Sequence, residues 1–268
     1  MPFVRTVGCY LLGVMKKRLD VLLVEKGMFE SRQKAQGAIL AGEVFVDGQR
    51  IDKPGSQINE DAPLSARQRD KYVGRGGLKL EAALRHFAVD PTGWTCADVG
   101  ASTGGFTDCL LQHGAAHVYA FDVGHSQLAW KIRNDPRVTS REKFNARFLT
   151  PKDLPVGTRL GVTDVSFISL NLILEPLARA IAANLDHRPN KLEGGGCIVA
   201  LIKPQFELER ADVGRGGIVR DAALHERAVE KVRSFVELSL PDWRWTGVMD
   251  SPILGTEGNK EFLACLKT

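Results

Sequence analysis

Along residues 16–58 the apolar positions are few and closely set. KKRLDVLLVEKG reads as a short helix with Leu19, Leu22 and Leu23 on one face and Gly27 ending it. Ser31 is positioned to cap a second helix, SRQKAQGAILAG, that stops at Gly42. EVFVDGQRI then alternates and turns at Asp47-Gly48, a hairpin signal, and KPGSQI continues as another extended piece. Two helices and a small sheet in about 50 residues make a marginal core, which suits an appended module better than an enzyme. After Lys79 the pattern changes. KLEAALRHF is an amphipathic helix, TCADVG (95–100) a buried strand, FTDCLLQHG (106–114) a helix, HVYAFDVG (117–124) a strand and HSQLAWKIRND a helix. Further strands are expected at 161–167, 196–204, 244–251 and 260–267, with helices LNLILEPLARAIAANL and AALHERAVEKVRSFVELSL among them. Such alternation predicts an α/β fold with a mostly parallel sheet covered on both faces. Only a short turn, Gly255–Asn259, separates the last two strands, so those pair antiparallel. The expected organisation is an extension (1–15), a small module (16–65), a basic glycine-containing linker (66–78) and the sheet domain (79–268).

Composition adds modest constraints. Of 268 residues, 44% are hydrophobic and 25% charged, which excludes disorder as the main state. The net charge of +4 is mild, but residues 16–78 hold 12 basic against 9 acidic side chains, while 79–268 hold 23 of each. A basic module beside a neutral body points to an anionic partner for the module. Five cysteines, without CxxC spacing, read as reduced core residues of a cytoplasmic protein, and the six histidines show no metal-ligand spacing, so no metal is expected. No stretch approaches the ~20 apolar residues of a membrane span. VGCYLLGVM (7–15) loosely resembles the apolar region of a signal peptide, but KKRLD follows where a small-residue cleavage site belongs. We read it as an upstream extension with Met15 as the natural first residue.

Residues 18–54 carry RLD (18–20), Gly27, Ser31-Arg32, Ala35, Ile39, GEVFVDG (42–48) and Lys53-Pro54. In that order and spacing they resemble the S-four RNA-binding module. The resemblance implies that Arg18, Arg32, Lys34 and Lys53 face RNA.

The strongest local signal is ADVGASTGGFTDCLL (97–111), which runs strand, glycine loop, helix. Its G-x-x-x-G-G pattern departs from the G-x-G-x-x-G that seats a dinucleotide pyrophosphate, which argues against NAD. Asp122 ends the next strand 22 residues past Gly100, where a carboxylate can take two ribose hydroxyls. Together these resemble the S-adenosylmethionine site of Rossmann-like methyltransferases. The resemblance implies a cofactor site of Asp98, Gly100, Ser102, Gly104 and Gly105 in and before the loop, Asp122 on the ribose and Asn145 near the adenine.

Four more charged residues sit where buried elements normally exclude charge: Lys79, Asp164, Lys203 and Glu261. Asp164 and Lys203 fall at carboxyl ends of strands, where open α/β sheets bind ligands, and an antiparallel last strand starts at that same edge. The set resembles the Lys-Asp-Lys-Glu tetrad of FtsJ-like ribose 2′-O-methyltransferases. With the S-four module in front, the chain resembles the TlyA family over residues ~16–268, whose members are sometimes labelled haemolysins. That implies S-adenosylmethionine-dependent 2′-O-methylation of cytidines in ribosomal RNA, with ribosomal RNA or ribosomal subunits as partners. The chemistry needs help with the nucleophile, a weakly acidic hydroxyl. Lys203 is assigned as base, Asp164 and Lys79 as its electrostatic and positioning partners, and Glu261 as orienter of the ribose. The alternative is a charged Lys203 that stabilises the developing alkoxide. Glu257 competes with Glu261, which is preferred for the aromatic Phe262 that follows it. Rival readings are an RNA base methyltransferase, or an RNA-binding protein without catalysis. DVGRGGIVRD (212–221) reads as a lid contacting RNA or a plain loop, and Phe167 and Phe206 as base-stacking or core residues.

Overall fold

The computed structural model describes residues 15–67, 70–186 and 195–268; the extension before Met15, with Cys9, lies outside them. The chain divides into two compact units between Arg69 and Asp70.

In the first unit the helix expected from Lys16 starts later. Lys16–Arg18 is a strand, β1, paired antiparallel with β4 (Gln57–Asn59), and α1 spans Leu19–Glu25. α2 (Arg32–Leu40) begins at Ser31, whose hydroxyl accepts the Lys34 amide. β2 (Val44–Val46) and β3 (Gln49–Arg50) form the hairpin around Asp47 and Gly48, both at positive φ as a two-residue turn with right-handed strand twist requires. β5 (Leu64–Ala66) joins β2 on its other side. Leu19, Leu23, Ala35, Ile39, Val44 and Val46 close the core.

The second unit is built on a seven-stranded sheet. Its strands are β6 (Thr95–Val99), β7 (His117–Phe121), β8 (Val138–Arg141), β9 (Thr158–Thr163), β10 (Cys197–Ile202), β11 (Arg244–Asp250) and β12 (Phe262–Lys267), in the order β11-β12-β10-β9-β6-β7-β8. β8 through β10 are parallel, while β12 runs antiparallel between β10 and β11. Buried on both faces, β10 reads CIVALI without a polar residue. α3 (Gly76–His86) and α4 (Gly105–Gln112) pack one face through Leu80, Ala83, Phe106 and Leu110. α6 (Asn171–Asp186) and α8 (Ala222–Ser239) cover the other through Leu174, Leu177, Val232 and Val236. Short α5 (Trp130–Arg133) and α7 (Pro204–Glu207) complete the unit.

β9 runs over Thr158–Thr163 and not over 161–167, since the chain leaves the sheet at Asp164 and reaches φ +64° at Phe167. Three further features differ from the sequence reading. The helix expected over 125–135 is the single turn α5, because Ser126 turns the backbone to φ +56° and the chain is not helical until Trp130. β8 was not anticipated. The expected linker is partly folded: Tyr72 is buried in the core and α3 already begins at Gly76. Cys96, Cys109, Cys197 and Cys265 are buried and free. Among the described residues no helix is long and apolar enough to cross a membrane.

Candidate active site

The carboxyl ends of β6, β9 and β10 lie side by side, and β12, running the other way, begins next to them. Asp164 follows β9, Lys203 follows β10, and Glu261 precedes β12. α3 brings Lys79 to the same place. All four side chains line one cavity of about 340 Å³, together with Gly100, Ser102, Gly105 and Ser166. They meet as two ion pairs. Lys79 Nζ lies 2.5 Å from Glu261 Oε2, both groups almost fully buried. Lys203 Nζ lies 2.7 Å from Asp164 Oδ1 and donates to Ser166 Oγ at 2.7 Å. The sequence reading grouped Lys79 with Lys203; the structure gives each lysine its own carboxylate. Glu257 is exposed and does not line this cavity, whereas Glu261 is 3% exposed.

A second, larger cavity of about 830 Å³ adjoins it and shares Gly100, Ser102, Asp164 and Ser166. Asp122, Phe144, Asn145 and Ile168 line it. One Asp122 oxygen accepts the Ser102 amide (2.8 Å) and the other the Gly124 amide (2.7 Å), which ties the glycine loop to the end of β7. Each carboxylate oxygen retains an acceptor position for a ligand hydroxyl. Asn145 receives the Arg147 amide and guanidinium on its Oδ1, and its amide nitrogen donates to no group among the described residues. Gly100 has φ +84°, and a Cβ there would stand 2.7 Å from the Asp164 carbonyl oxygen. Any side chain would push apart β6 and the Asp164 segment and fill the cradle between the cavities.

Two residues assigned to the cofactor lie behind the loop and line neither cavity. Gly104, at φ +94°, packs against Leu128 and Ile132 and lets the chain enter α4. Asp98 is fully buried; its Oδ2 accepts the Thr107 hydroxyl at 2.6 Å, and its Oδ1 has no partner among the described residues. Burial, with Asp164 adding to it, pushes its carboxyl up to about 7. Its geometry supports the loop from beneath.

Sequence reasoning missed three side chains. Ser166, which holds Lys203, carried no signal beyond its place between Asp164 and Phe167. Glu207 is buried and accepts the Ser169 hydroxyl and the Leu170 amide, fastening the Lys203 segment to the Asp164 segment. Arg75 lines the smaller cavity and donates to the Leu254 carbonyl at 2.6 Å. Phe167 is 88% exposed at φ +64°, with its ring 5.1 Å from that of Phe206, so it is no core residue.

In the first unit the basic residues have mixed duties. Arg18 and Arg32 both bond Asp20, which is fully buried and also accepts Gln36. The Arg18 guanidinium foremost holds that carboxyl well below the usual range. Both arginines therefore serve the fold, although about half of each side chain remains exposed. Lys34 pairs with Glu30 on the surface, and Lys53 is exposed.

A model of the FtsJ-like methyltransferase family matches residues 72–268, and one of the S4 domain matches residues 17–63. The chain belongs to the FtsJ-like methyltransferase family. It is 43% identical over 256 residues to the 16S/23S rRNA (cytidine-2′-O)-methyltransferase TlyA of Mycobacterium tuberculosis, covering 94% of this chain and 90% of that one. It is also 43% identical over 252 residues to Hemolysin A of Brachyspira hyodysenteriae, covering 92% and 98%. A solved structure of a hemolysin-named protein from Streptococcus thermophilus matches with a TM-score of 0.66 at 44% identity, over 96% of this chain and 90% of that one. The TlyA resemblance of the sequence is thus borne out, as is the methyltransferase fold with its antiparallel last strands.

Proposed function

We propose that this chain methylates the ribose 2′-hydroxyl of cytidines in ribosomal RNA in the cytoplasm, with S-adenosylmethionine as donor and the S4 unit as an RNA-binding module. The observation that carries the reading is the convergence of Lys79, Asp164, Lys203 and Glu261 on one cavity that opens beside the glycine loop. The larger cavity, with a carboxylate for ribose hydroxyls and an amide near Phe144, fits a nucleoside.

S-adenosylmethionine, when bound, supplies a methyl group on a sulfonium that is already a good leaving group. The protein's task is then to orient a ribose hydroxyl and manage its proton. Lys203 Nζ stands at the wall of the cavity and, once it has given up its own proton to solvent, takes the hydroxyl proton as a neutral amine; Asp164 then pairs with the ammonium that results. Ser166 fixes the direction of the amine. Glu261 accepts from the incoming ribose, with Lys79 as its counter-ion in a buried place. The test is to incubate the purified protein with S-adenosylmethionine carrying a labelled methyl group and each ribosomal subunit, then map the label. Label on a cytidine 2′-oxygen is expected. Label on a base, or RNA binding without transfer, overturns the reading.

A further inference from the structure

The segment after α7 carries VGRGGIVR (213–220), with two arginines and no acid. Arg215 and Arg220 are exposed and form no ion pair among the described residues. The flanking acids are engaged elsewhere: Asp212 pairs with Arg227, and Asp221 caps α8 through the Ala223 amide. The segment is pinned in place. Asn259, 1% exposed, accepts the Val219 amide at 2.9 Å and donates to the Gly217 carbonyl at 2.8 Å. His225 Nε2 meets the Val219 carbonyl at 3.0 Å from the other side. Asn259 also closes the turn 255–259 by accepting the Gly255 amide on its own carbonyl. That turn follows Leu254, contributes Thr256 to the catalytic cavity and leads into Glu261. The backbone that carries the two exposed arginines is thus tied, through Asn259, to the turn that contributes Thr256 to the cavity holding the reacting groups. Gly216, at φ +79°, has open space where a side chain would stand, so a strand can approach the backbone closely.

We propose that residues 213–220 form a phosphate clamp, in which Arg215 and Arg220 hold the phosphodiester backbone of the RNA strand next to the target ribose. Guanidinium forks match phosphate oxygens two at a time, so two arginines carried on one pinned stretch of backbone can set position as well as charge. The clamp rests on the reading that this cavity methylates RNA. The clamp belongs to the second unit and is tied to its cavity, so it acts on the strand at the chemistry.

The experiment compares the full-length protein with the double variant Arg215→Ala/Arg220→Ala and with Arg233→Ala, an exposed arginine paired with Glu237 on α8. Binding to a ribosomal subunit is titrated against salt, and single-turnover methylation is measured at rising subunit concentration. The double variant should lower the slope of log affinity against log salt by about 1.4–1.8, at 0.7–0.9 per lost phosphate contact. Half-saturation should move to roughly tenfold higher RNA, with cofactor affinity unchanged and Arg233→Ala like the parent. A parent that methylates RNA and a double variant with the same slope and half-saturation would refute the clamp alone. A parent that transfers no methyl group to RNA would refute the reading beneath it.

Discussion

The Lys79–Glu261 pair separates stability from catalysis. Its side chains are 9% and 3% exposed, with charged atoms 2.5 Å apart. Replacing one partner leaves the other charge buried without its counter-ion, which typically costs 3–5 kcal/mol. Lys79→Met and Glu261→Met should each destabilise the second unit by about that much. For a domain of this size that is a fall of roughly 6–20 °C in Tm. Replacing both with methionine removes both desolvation penalties and keeps the volume, so the double variant should recover to near the parent or above it. Neither single nor double variant should transfer methyl groups, since the double has no carboxylate to meet the ribose. Calorimetric unfolding and a labelled-methyl assay on the same four proteins read both quantities. Single variants as stable as the parent would mean that the charges are not buried against each other. A double variant that is active would remove both residues from the chemistry.

Lys203→Ala should abolish transfer while the protein still binds cofactor and RNA. Lys203→Arg should be equally dead if Nζ takes the proton, because arginine keeps its charge; an active arginine variant would leave only a cation's role, stabilising the alkoxide. Asp122→Ala should weaken S-adenosylmethionine binding by about 1.5–3 kcal/mol, roughly 10–150-fold in calorimetry, and unchanged affinity would move the cofactor elsewhere. Asp98 carries a pH signature: its carboxyl is held up to about 7 when folded and is near 4 when unfolded. Folding therefore takes up a proton in that window, and this contribution to stability is full below about pH 4 and is lost as pH rises through about 7. Asp98→Asn should flatten the pH dependence of Tm over that range relative to the parent, and parallel curves would show that the group titrates as if exposed.

Much of the fold was legible because its signals are local. β10 is an unbroken apolar run, α2 has its Ser31 cap, and the short Gly255–Asn259 turn leaves no room for a crossover helix. β8 was not legible: VTSR has no apolar alternation, and it is a strand only because β7 offers it an edge. The site residues could be named since charge at the end of a buried strand is conspicuous. Their partnerships could not, because Lys79 and Glu261 are 182 residues apart and only the sheet order decides which lysine meets which acid. The same holds for Arg18 and Arg32, for which the S-four resemblance implied RNA while their hydrogen bonds to buried Asp20 depend on how α1 and α2 pack.

The place of β12 has a consequence for synthesis. Made after every other strand described, it is nonetheless an interior strand, with β10 on one side and β11 on the other. Until residues 262–267 have emerged from the ribosome, β11 has no sheet to join and β10 presents an open edge. A chain released before Phe262 would keep the glycine loop, Asp122, Asp164 and Lys203, but Glu261 would have no strand to hold it beside Lys79. The glycine loop and Asp122 can thus take their places before β12 pairs, whereas the Lys79–Glu261 pair cannot form until it does.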